Sequence, residues 1–301
     1  MATMNTRTAI PGSALRRASA ALYRRPRLVL GALLAPPILW LAVIYLGSLV
    51  VLLVSSLWRL DPVTTAIVRE PSLQNFGELL SPERPYLRIA AHTAGIAGLV
   101  TIVDAFLAFP LAFFMARVAS GRTRKALFIA VTLPLWISYL VRVYSWRVIL
   151  SEDGFLNWAL GFVGLSGPGT LGDVAITLVF SYIWLPFMIL PVYAGLERIP
   201  QSLLEASSDL GGHAWTTFRR IILPLALPGI VAGSIFTFSL TLGDYITPAI
   251  FSGDQFIGNV VYGHVGVSGN IPFAAAYATV PVLIMAAYLL IARRLGAFEA
   301  L

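Results

Sequence analysis

The chain has no cysteine and a single lysine, Lys125, among its 301 residues. Without cysteine it can form no disulfide, no thiolate metal site and no cysteine nucleophile. A phosphate-binding P-loop needs a lysine directly after a glycine, and here an arginine precedes the lysine. Charged residues are also scarce, at 12% against about 25% in soluble domains. The sequence therefore predicts a membrane protein that does not itself hydrolyse ATP.

Long apolar runs make up most of the chain. Residues 28–58 contain no charged side chain, and this run is too long for the core of a signal peptide, so we expect an uncleaved span. About 20 apolar residues suffice to cross a bilayer, and five further segments qualify: Ile89–Val118, Ala126–Leu150, Val174–Leu196, Ile221–Thr241 and Phe273–Ala292.

These runs predict an all-α integral membrane protein with six transmembrane helices. We expect one six-helix domain over residues 29–295, with short tails at residues 1–28 and 296–301. The longest loop, residues 59–88, contains four prolines and predicts an irregular cap with a short helix.

Basic residues are concentrated on one side of the predicted membrane. The two tails and the second and fourth connections carry 15 of them, whereas the opposite side carries four, all in the first loop. Cytoplasmic loops retain positive charge, so both termini and the fourth connection are expected in the cytoplasm. The net charge of +7 follows from this distribution and does not indicate a nucleic-acid partner.

The fourth connection has an informative spacing. It reads Glu205-Ala206-Ser207-Ser208-Asp209-Leu210-Gly211, then nine residues, then Ile221-Ile222-Leu223-Pro224. This resembles the EAA loop of permease subunits in ATP-binding-cassette importers, written E-A-A-x3-G-x9-I-x-L-P, with serine in the third position. We call residues 197–220 the EAA-like loop.

The resemblance implies that the EAA-like loop is where an ATPase subunit docks. The residues that it assigns to this coupling are Glu205, Ala206, Ser207, Gly211, Ile221, Leu223 and Pro224. Pro200 suits the start of a short helix, and the glycines allow a sharp end. The alternative is an ordinary amphipathic connector that lies on the lipid surface.

Two other segments carry a related resemblance. Residues 134–146 with 154–157, and residues 242–248 with 258–259, are similar to segments of polyamine-type permeases, and in particular to the spermidine/putrescine permease family. The resemblance implies a type I importer fold in the bacterial cytoplasmic (inner) membrane. It also implies a second permease subunit, two ATPase subunits that hold ATP and Mg, and an extracytoplasmic solute-binding protein. It places no cofactor, metal or catalytic residue in this chain.

Ionisable residues inside the spans are further candidates, because such residues are costly in lipid and face a pathway or an internal partner. Helical rise puts Asp104 about 22 Å below the outer start of its helix, and puts Asp244, Arg142 and Arg147 near the outer mouth. Depth therefore favours pairing Asp244 with one of the arginines and argues against pairing Asp104 with Arg142.

Two interpretations of these residues stay open. Asp244 either attracts an ammonium group, with Tyr245 or Trp146 offering an aromatic face, or forms a structural ion pair with an arginine. Asp104 either lines the path or makes a polar contact between helices. Arginines near the mouth oppose a cationic solute, so we expect the partner permease to supply carboxylates and the binding protein to set most of the selectivity.

We therefore expect a permease subunit that carries a polyamine or a related small solute. An alternative is an ion- or proton-driven secondary transporter that uses Asp104 and Asp244 as proton carriers. Transporters of that class often show inverted repeats, and we find no such repeat in this sequence. A third class, an intramembrane enzyme, lacks any visible catalytic set.

Overall fold

The computed structural model describes residues 26–294. The expectations for the two tails therefore fall almost wholly outside the described residues. The chain divides into two compact units with the boundary between Val54 and Ser55, and each unit is described by itself.

The first unit is built around a long apolar helix. Helix α1 (Pro26–Trp40) continues through a π-helical segment (Leu41–Leu46) into α2 (Gly47–Ser55). Large apolar side chains point outward all around it, and both Leu33 and Trp40 are 69% exposed. Such a helix is stable only where its surroundings are also apolar, as in lipid.

The second unit contains the remaining helices and one hairpin. In chain order its elements are β1 (Arg59–Leu60), β2 (Ile67–Val68), α3 (Gln74–Leu80), α4 (Tyr86–Phe113), a π-helical segment (Phe114–Val118), α5 (Gly121–Thr132), a 3-10 segment (Leu133–Trp136), α6 (Tyr139–Ile149), α7 (Phe155–Gly161), α8 (Asp173–Glu197), α9 (Gln201–Asp209), α10 (Ala214–Thr217), a π-helical segment (Phe218–Ile222), α11 (Leu223–Gly243), α12 (Ile246–Phe251), α13 (Ile257–Gly266) and α14 (Ile271–Arg294).

The first loop is more ordered than the sequence predicts. Its short helix is α3, but β1 and β2 also pair as an antiparallel hairpin, with Arg59 opposite Val68. In the hairpin turn, the carboxylate of Asp61 accepts hydrogen bonds from the backbone amides of Val63 at 2.8 Å and Thr64 at 3.1 Å. These two bonds lower the pKa of Asp61 below its ordinary value.

Helices α4, α8 and α11 form the core of the second unit. At one end of the pair α4 and α8, His92 Nε2 lies 3.0 Å from an Asp173 oxygen. At the other end, Arg117 donates to the carbonyl of Leu196 at 2.6 Å. These two contacts show that α4 and α8 lie side by side and run in the same direction.

Helix α11 crosses α8 in the opposite direction and very closely. A Cβ atom added to Gly229 would lie 2.7 Å from the carbonyl oxygen of Pro191, which is closer than van der Waals contact allows. One turn further on, Gly233 faces Met188 in the same way. Glycine at these positions lets the two backbones approach, which is the common way in which membrane helices pack.

Five helical stretches of the described chain are long and apolar enough to span a membrane: Val29–Ser55, Tyr86–Val118, Asp173–Glu197, Ala214–Gly243 and Ile271–Arg294. A bent pair, Gly121–Trp136 with Tyr139–Ile149, makes a sixth if it counts as one span. The helical fold class predicted from sequence is confirmed.

The predicted third span, Ala126–Leu150, is wrong as a single continuous helix. The chain tightens into the 3-10 segment, which contains Pro134, and becomes extended at Ile137 before helix α6 begins. Because proline has no amide donor, the helical hydrogen-bond ladder is interrupted there. The two halves meet at 97°, and this bend decides where the charged residues of α6 lie.

Candidate functional site

The EAA-like loop contains a short helix with an exposed face. Pro200 is extended, with φ −63° and ψ 136°, and α9 begins at the next residue. Glu205 and Ala206 are exposed, whereas Ser207 is half-buried against the following segment. The first two coupling candidates are therefore free to meet another protein, and the third faces inward.

Helix α9 ends in a tight glycine turn. The amide of Gly212 donates to the Ser207 carbonyl at 2.8 Å, and the amide of Gly211 donates to the Ser208 carbonyl at 2.9 Å. This pair of bonds is a Schellman motif, which requires a left-handed residue directly after the helix. Gly211 adopts φ +75°, where a side chain would be strained, so the glycine of the motif has a clear structural reason.

Ser207 joins α9 to the start of the next long helix. Its hydroxyl lies 2.8 Å from the hydroxyl of Thr217. The remaining motif residues, Ile221, Leu223 and Pro224, lie within the helical stretch Ala214–Gly243, which begins seven residues before the predicted start. The sequence carries no signal that would have identified Thr217.

A pocket of about 410 Å³ opens beside the EAA-like loop, between the end of α8 and the start of α11. Gly195, Leu203, Leu225 and Pro228 contribute apolar walls, and Arg198 is its charged residue. The pocket separates the inner face of α9 from α11.

Asp244 makes several hydrogen bonds and, among residues 26–294, no ion pair with an arginine. One oxygen accepts from the backbone amides of Ile246 at 2.8 Å and Thr247 at 3.3 Å. The other accepts from the hydroxyls of Thr247 at 2.9 Å and of Tyr139. The predicted structural pair of Asp244 with Arg142 or Arg147 is therefore wrong in the described chain, since the carboxylate instead caps the start of α12.

Arg142 lies deeper than its position in the sequence suggests. It is 8% exposed, and its Nη1 donates to the carbonyl of Ile183 at 3.4 Å. Ile183 is ten residues into α8, or about 15 Å along the helix. The expectation that Arg142 sits at the outer mouth assumed a straight third span, and the 97° bend carries it to the middle of α8.

Tyr139 connects these two charged residues. Its hydroxyl donates to Asp244, and the guanidinium carbon of Arg142 lies 6.0 Å from the centre of its ring. Tyr139 therefore lies between Asp244 and Arg142, for which a direct ion pair was one of the predicted arrangements.

Asp104 is fully buried at the middle of α4, and neither of its carboxylate oxygens has a hydrogen-bond partner within residues 26–294. It lies 12 residues after His92 and 13 before Arg117, so it is about 18 to 20 Å from each end contact. Ser181 of α8 lies beside it. Asp104 therefore faces the neighbouring helices of its own chain rather than an outer surface of the unit.

The two aromatic candidates have different environments. Tyr245 is 40% exposed and stacks on Tyr262, with ring centres 4.9 Å apart. Trp146 is half-buried and packs on Tyr182 at 5.4 Å. Arg142, Trp146 and Asp104 thus lie against one stretch of α8, residues 181–183, whereas Tyr245 packs against α13.

Arg117 and Arg124 join the second connection to the EAA-like loop. Arg117 donates to the carbonyls of Leu196 and Ile199, and Arg124 lies 3.8 Å from Glu197. In the sequence, these arginines are visible only as positive charge. These three partners in and beside the EAA-like loop are 73 or more positions away from the arginines, and no local pattern indicates them.

Comparison with known proteins identifies the family. Residues 108–298, more than half of the chain, match the family "Binding-protein-dependent transport system inner membrane component". The inner membrane ABC transporter permease protein YdcU of Escherichia coli K12 is 45% identical over 95% of this chain and 96% of its own length. The spermidine/putrescine transport system permease protein PotB of Haemophilus influenzae is 33% identical over 68% of this chain and 72% of its own.

Solved structures show the same fold. A chain of a bacterial ABC transporter involved in the import of the acidic polysaccharide alginate has a TM-score of 0.71 at 20% identity, over 92% of this chain and 99% of that one. A chain of the MetNI methionine ABC transporter has a TM-score of 0.53 at 19% identity, over 70% of this chain and 96% of that one.

Permease subunits of this kind are not enzymes, because separate subunits of the importer hydrolyse ATP. An ion-driven secondary transporter would belong to a different protein family, so that alternative loses its support. The chain therefore belongs to the binding-protein-dependent transport system inner membrane component family and is the permease subunit of an ATP-binding-cassette importer of the type I fold.

Proposed function

We propose that this chain forms half of a solute path, together with a second permease subunit. Two ATPase subunits would hold ATP and Mg, and an extracytoplasmic solute-binding protein would deliver the solute. Residues 29–295 would act as one permease domain with both termini in the cytoplasm. Reporter fusions at both termini test this orientation, and an extracytoplasmic signal from either end would contradict it.

The coupling to the ATPase rests on one observation. The exposed residues Glu205 and Ala206 lie on a rigid helix that is fixed at its far end by the Gly211 turn and the Ser207–Thr217 contact. A helix held in this way transmits a push as a rigid-body movement. ATP-driven closure of the ATPase subunits would move α9 and rock the core helices between two orientations.

A charge reversal tests the docking. Glu205→Arg should lower recovery of the ATPase subunits with the purified permease by about tenfold, because a docked carboxylate is replaced by a cation. Glu152→Arg reverses an equally exposed carboxylate outside the EAA-like loop and should leave recovery unchanged. Equal recovery for both variants would contradict docking at α9.

For the substrate, we propose a polyamine such as putrescine or spermidine, or a related small solute. Relatives at 31–33% identity are named spermidine/putrescine permeases. The exposed stack of Tyr245 on Tyr262 offers an aromatic face to an ammonium group. The burial of Arg142 against α8 also weakens the earlier objection that its charge repels cations at the mouth.

Uptake measurements test this assignment. Vesicles that contain the complete importer and internal ATP should accumulate radiolabelled putrescine or spermidine, and excess unlabelled polyamine should compete. Tyr262→Ala should reduce uptake more than Tyr144→Ala, which removes an exposed tyrosine without a described ring partner. Accumulation of an anionic solute, with no transport of either polyamine, would overturn the assignment.

A further inference from the structure

Arg117 makes two short hydrogen bonds across the bundle. It lies in the π-helical segment that follows α4, and its Nη2 donates to the carbonyls of Leu196 and Ile199, both at 2.6 Å. The last carbonyls of a helix have no partner within that helix. The guanidinium reaches one of them, the Leu196 carbonyl, which also accepts from the Ile199 amide at 3.3 Å, and it complements the negative end of the α8 dipole.

These two carbonyls lie at the junction between α8 and α9. The side chains of Leu196 and Ile199 are buried, and α9 begins two residues after Ile199. Both belong to the apolar cluster that also contains Met115 and Ile222. The position of Arg117 relative to this junction is therefore fixed by apolar packing as well as by hydrogen bonds.

The link is important because of how the three core helices are connected. The EAA-like loop is covalently continuous with α8 before it and with α11 after it. Helix α4 has no such continuity, and Arg117 reaches across 79 positions of sequence to Leu196. The nearby pair of Arg124 with Glu197 is longer, at 3.8 Å, and partly exposed.

We propose that Arg117 is a positioning residue that makes α4 move together with the EAA-like loop when the ATPase subunits close. This inference rests on the proposed docking of α9. Without Arg117 the loop would still drive α8 and α11 through the backbone. Helix α4 would then follow only through apolar packing, the longer Arg124–Glu197 pair and the His92–Asp173 contact at the opposite end.

Pairs of spin labels test the inference directly, because the natural chain has no cysteine. One label is placed at Val118→Cys, which is exposed and follows Arg117, and the other at Ser208→Cys, which is exposed on α9. The distance between them is measured in the complete complex, first without nucleotide and then trapped with MgATP and vanadate. In the parent, the two distributions should coincide.

The test variant is Arg117→Met, which keeps the apolar stem and removes the donors. Its distance distribution should shift by about 2 Å or more on trapping, the size of helix shifts in such transitions. Arg122→Met removes an exposed arginine of the same connection that has no described partner, and it should behave as the parent. Arg117→Lys should shift less than Arg117→Met, because it retains a cationic donor.

Three results would separate the possible failures. If Arg117→Met binds the ATPase subunits and its distances still coincide in both states, the positioning role is wrong. If Arg117→Met fails to bind the ATPase subunits while Arg122→Met binds them, Arg117 is needed only for assembly, and the inference also falls. If the parent itself does not bind the ATPase subunits, the proposed function fails.

Discussion

For Asp244, a structural role and a role in the solute path predict different effects of substitution. Its carboxylate caps the start of α12 through two backbone amides and receives the hydroxyls of Thr247 and Tyr139. If these contacts are its role, removing the carboxylate should destabilise the protein. If it instead attracts substrate, removing it should abolish uptake and leave stability unchanged.

The magnitude follows from the lost contacts. Asp244→Ala removes a helix cap, at about 1 kcal/mol. It also removes the acceptor of the Tyr139 hydroxyl, and a weakened buried hydrogen bond costs about 1 to 2 kcal/mol. Tyr139 and Thr247 lie 2.6 Å apart and partly compensate by pairing with each other. The total of about 2 to 3 kcal/mol corresponds to a fall in Tm of roughly 3–5 °C for a chain of 301 residues.

Asp244→Asn should behave differently. Its amide oxygen keeps the cap, and its NH2 group donates to the two hydroxyls, which rotate to accept. We expect a loss of about 1 kcal/mol or less, and uptake close to that of the parent. The control is Asp254→Ala, which removes an exposed carboxylate with no described partner.

The assay combines heating and transport. Purified permease is heated in detergent, and the remaining folded fraction is measured by size-exclusion chromatography, while uptake is measured in parallel in vesicles. The structural role is refuted if Asp244→Ala keeps the Tm of the parent while both Asp244 variants lose uptake.

Three further predictions concern packing, the loop and pH. Gly229→Ala should cost about 1–3 kcal/mol in thermal unfolding, because its Cβ would meet the Pro191 carbonyl at 2.7 Å. Gly95→Ala faces open space and should be neutral or stabilising. Equal effects of the two substitutions would contradict the close crossing of α8 and α11. Ser207→Ala should speed hydrogen exchange across residues 201–217 by about two- to tenfold through loss of the Thr217 contact, and Ser202→Ala should not. Identical exchange rates in the two variants would contradict a fixed loop. Burial lowers the pKa of His264, so packing of α13 should be fully stable above about pH 6.5 and weaken as pH falls through the lowered pKa. His264→Gln should remove this pH dependence of hydrogen exchange in α13. If the pH dependence persists in His264→Gln, another group causes it.

The features predicted well from sequence are those that a local pattern encodes. Five of the six spans appear as continuous helices close to their predicted limits, because a long apolar run must cover its backbone by helix formation in lipid. The spacing from Glu205 to Gly211 likewise predicts a short helix that ends in a glycine turn, because the cap and the stop are set by neighbouring residues.

The predictions that failed depended on how helices are placed against one another. Depth counted along a straight third span put Arg142 at the outer mouth, but the break at residues 133–137 turned α6 through 97°. Asp244 then met Tyr139 instead of an arginine. A single interruption of the helical ladder therefore accounts for the observed position of Arg142.

The sequence by itself determined that this chain crosses the membrane and which loop has the spacing of an ATPase contact. It also gave the expectation of which side of the membrane carries the positive charge. These properties follow from composition and local spacing, which act over a few residues. Only the tertiary structure decided that Asp104 is buried beside Ser181, that Tyr139 lies between Asp244 and Arg142, and that Arg117 joins α4 to the junction before α9. Those contacts join residues far apart in the chain, and their geometry is set by helix crossing and bending.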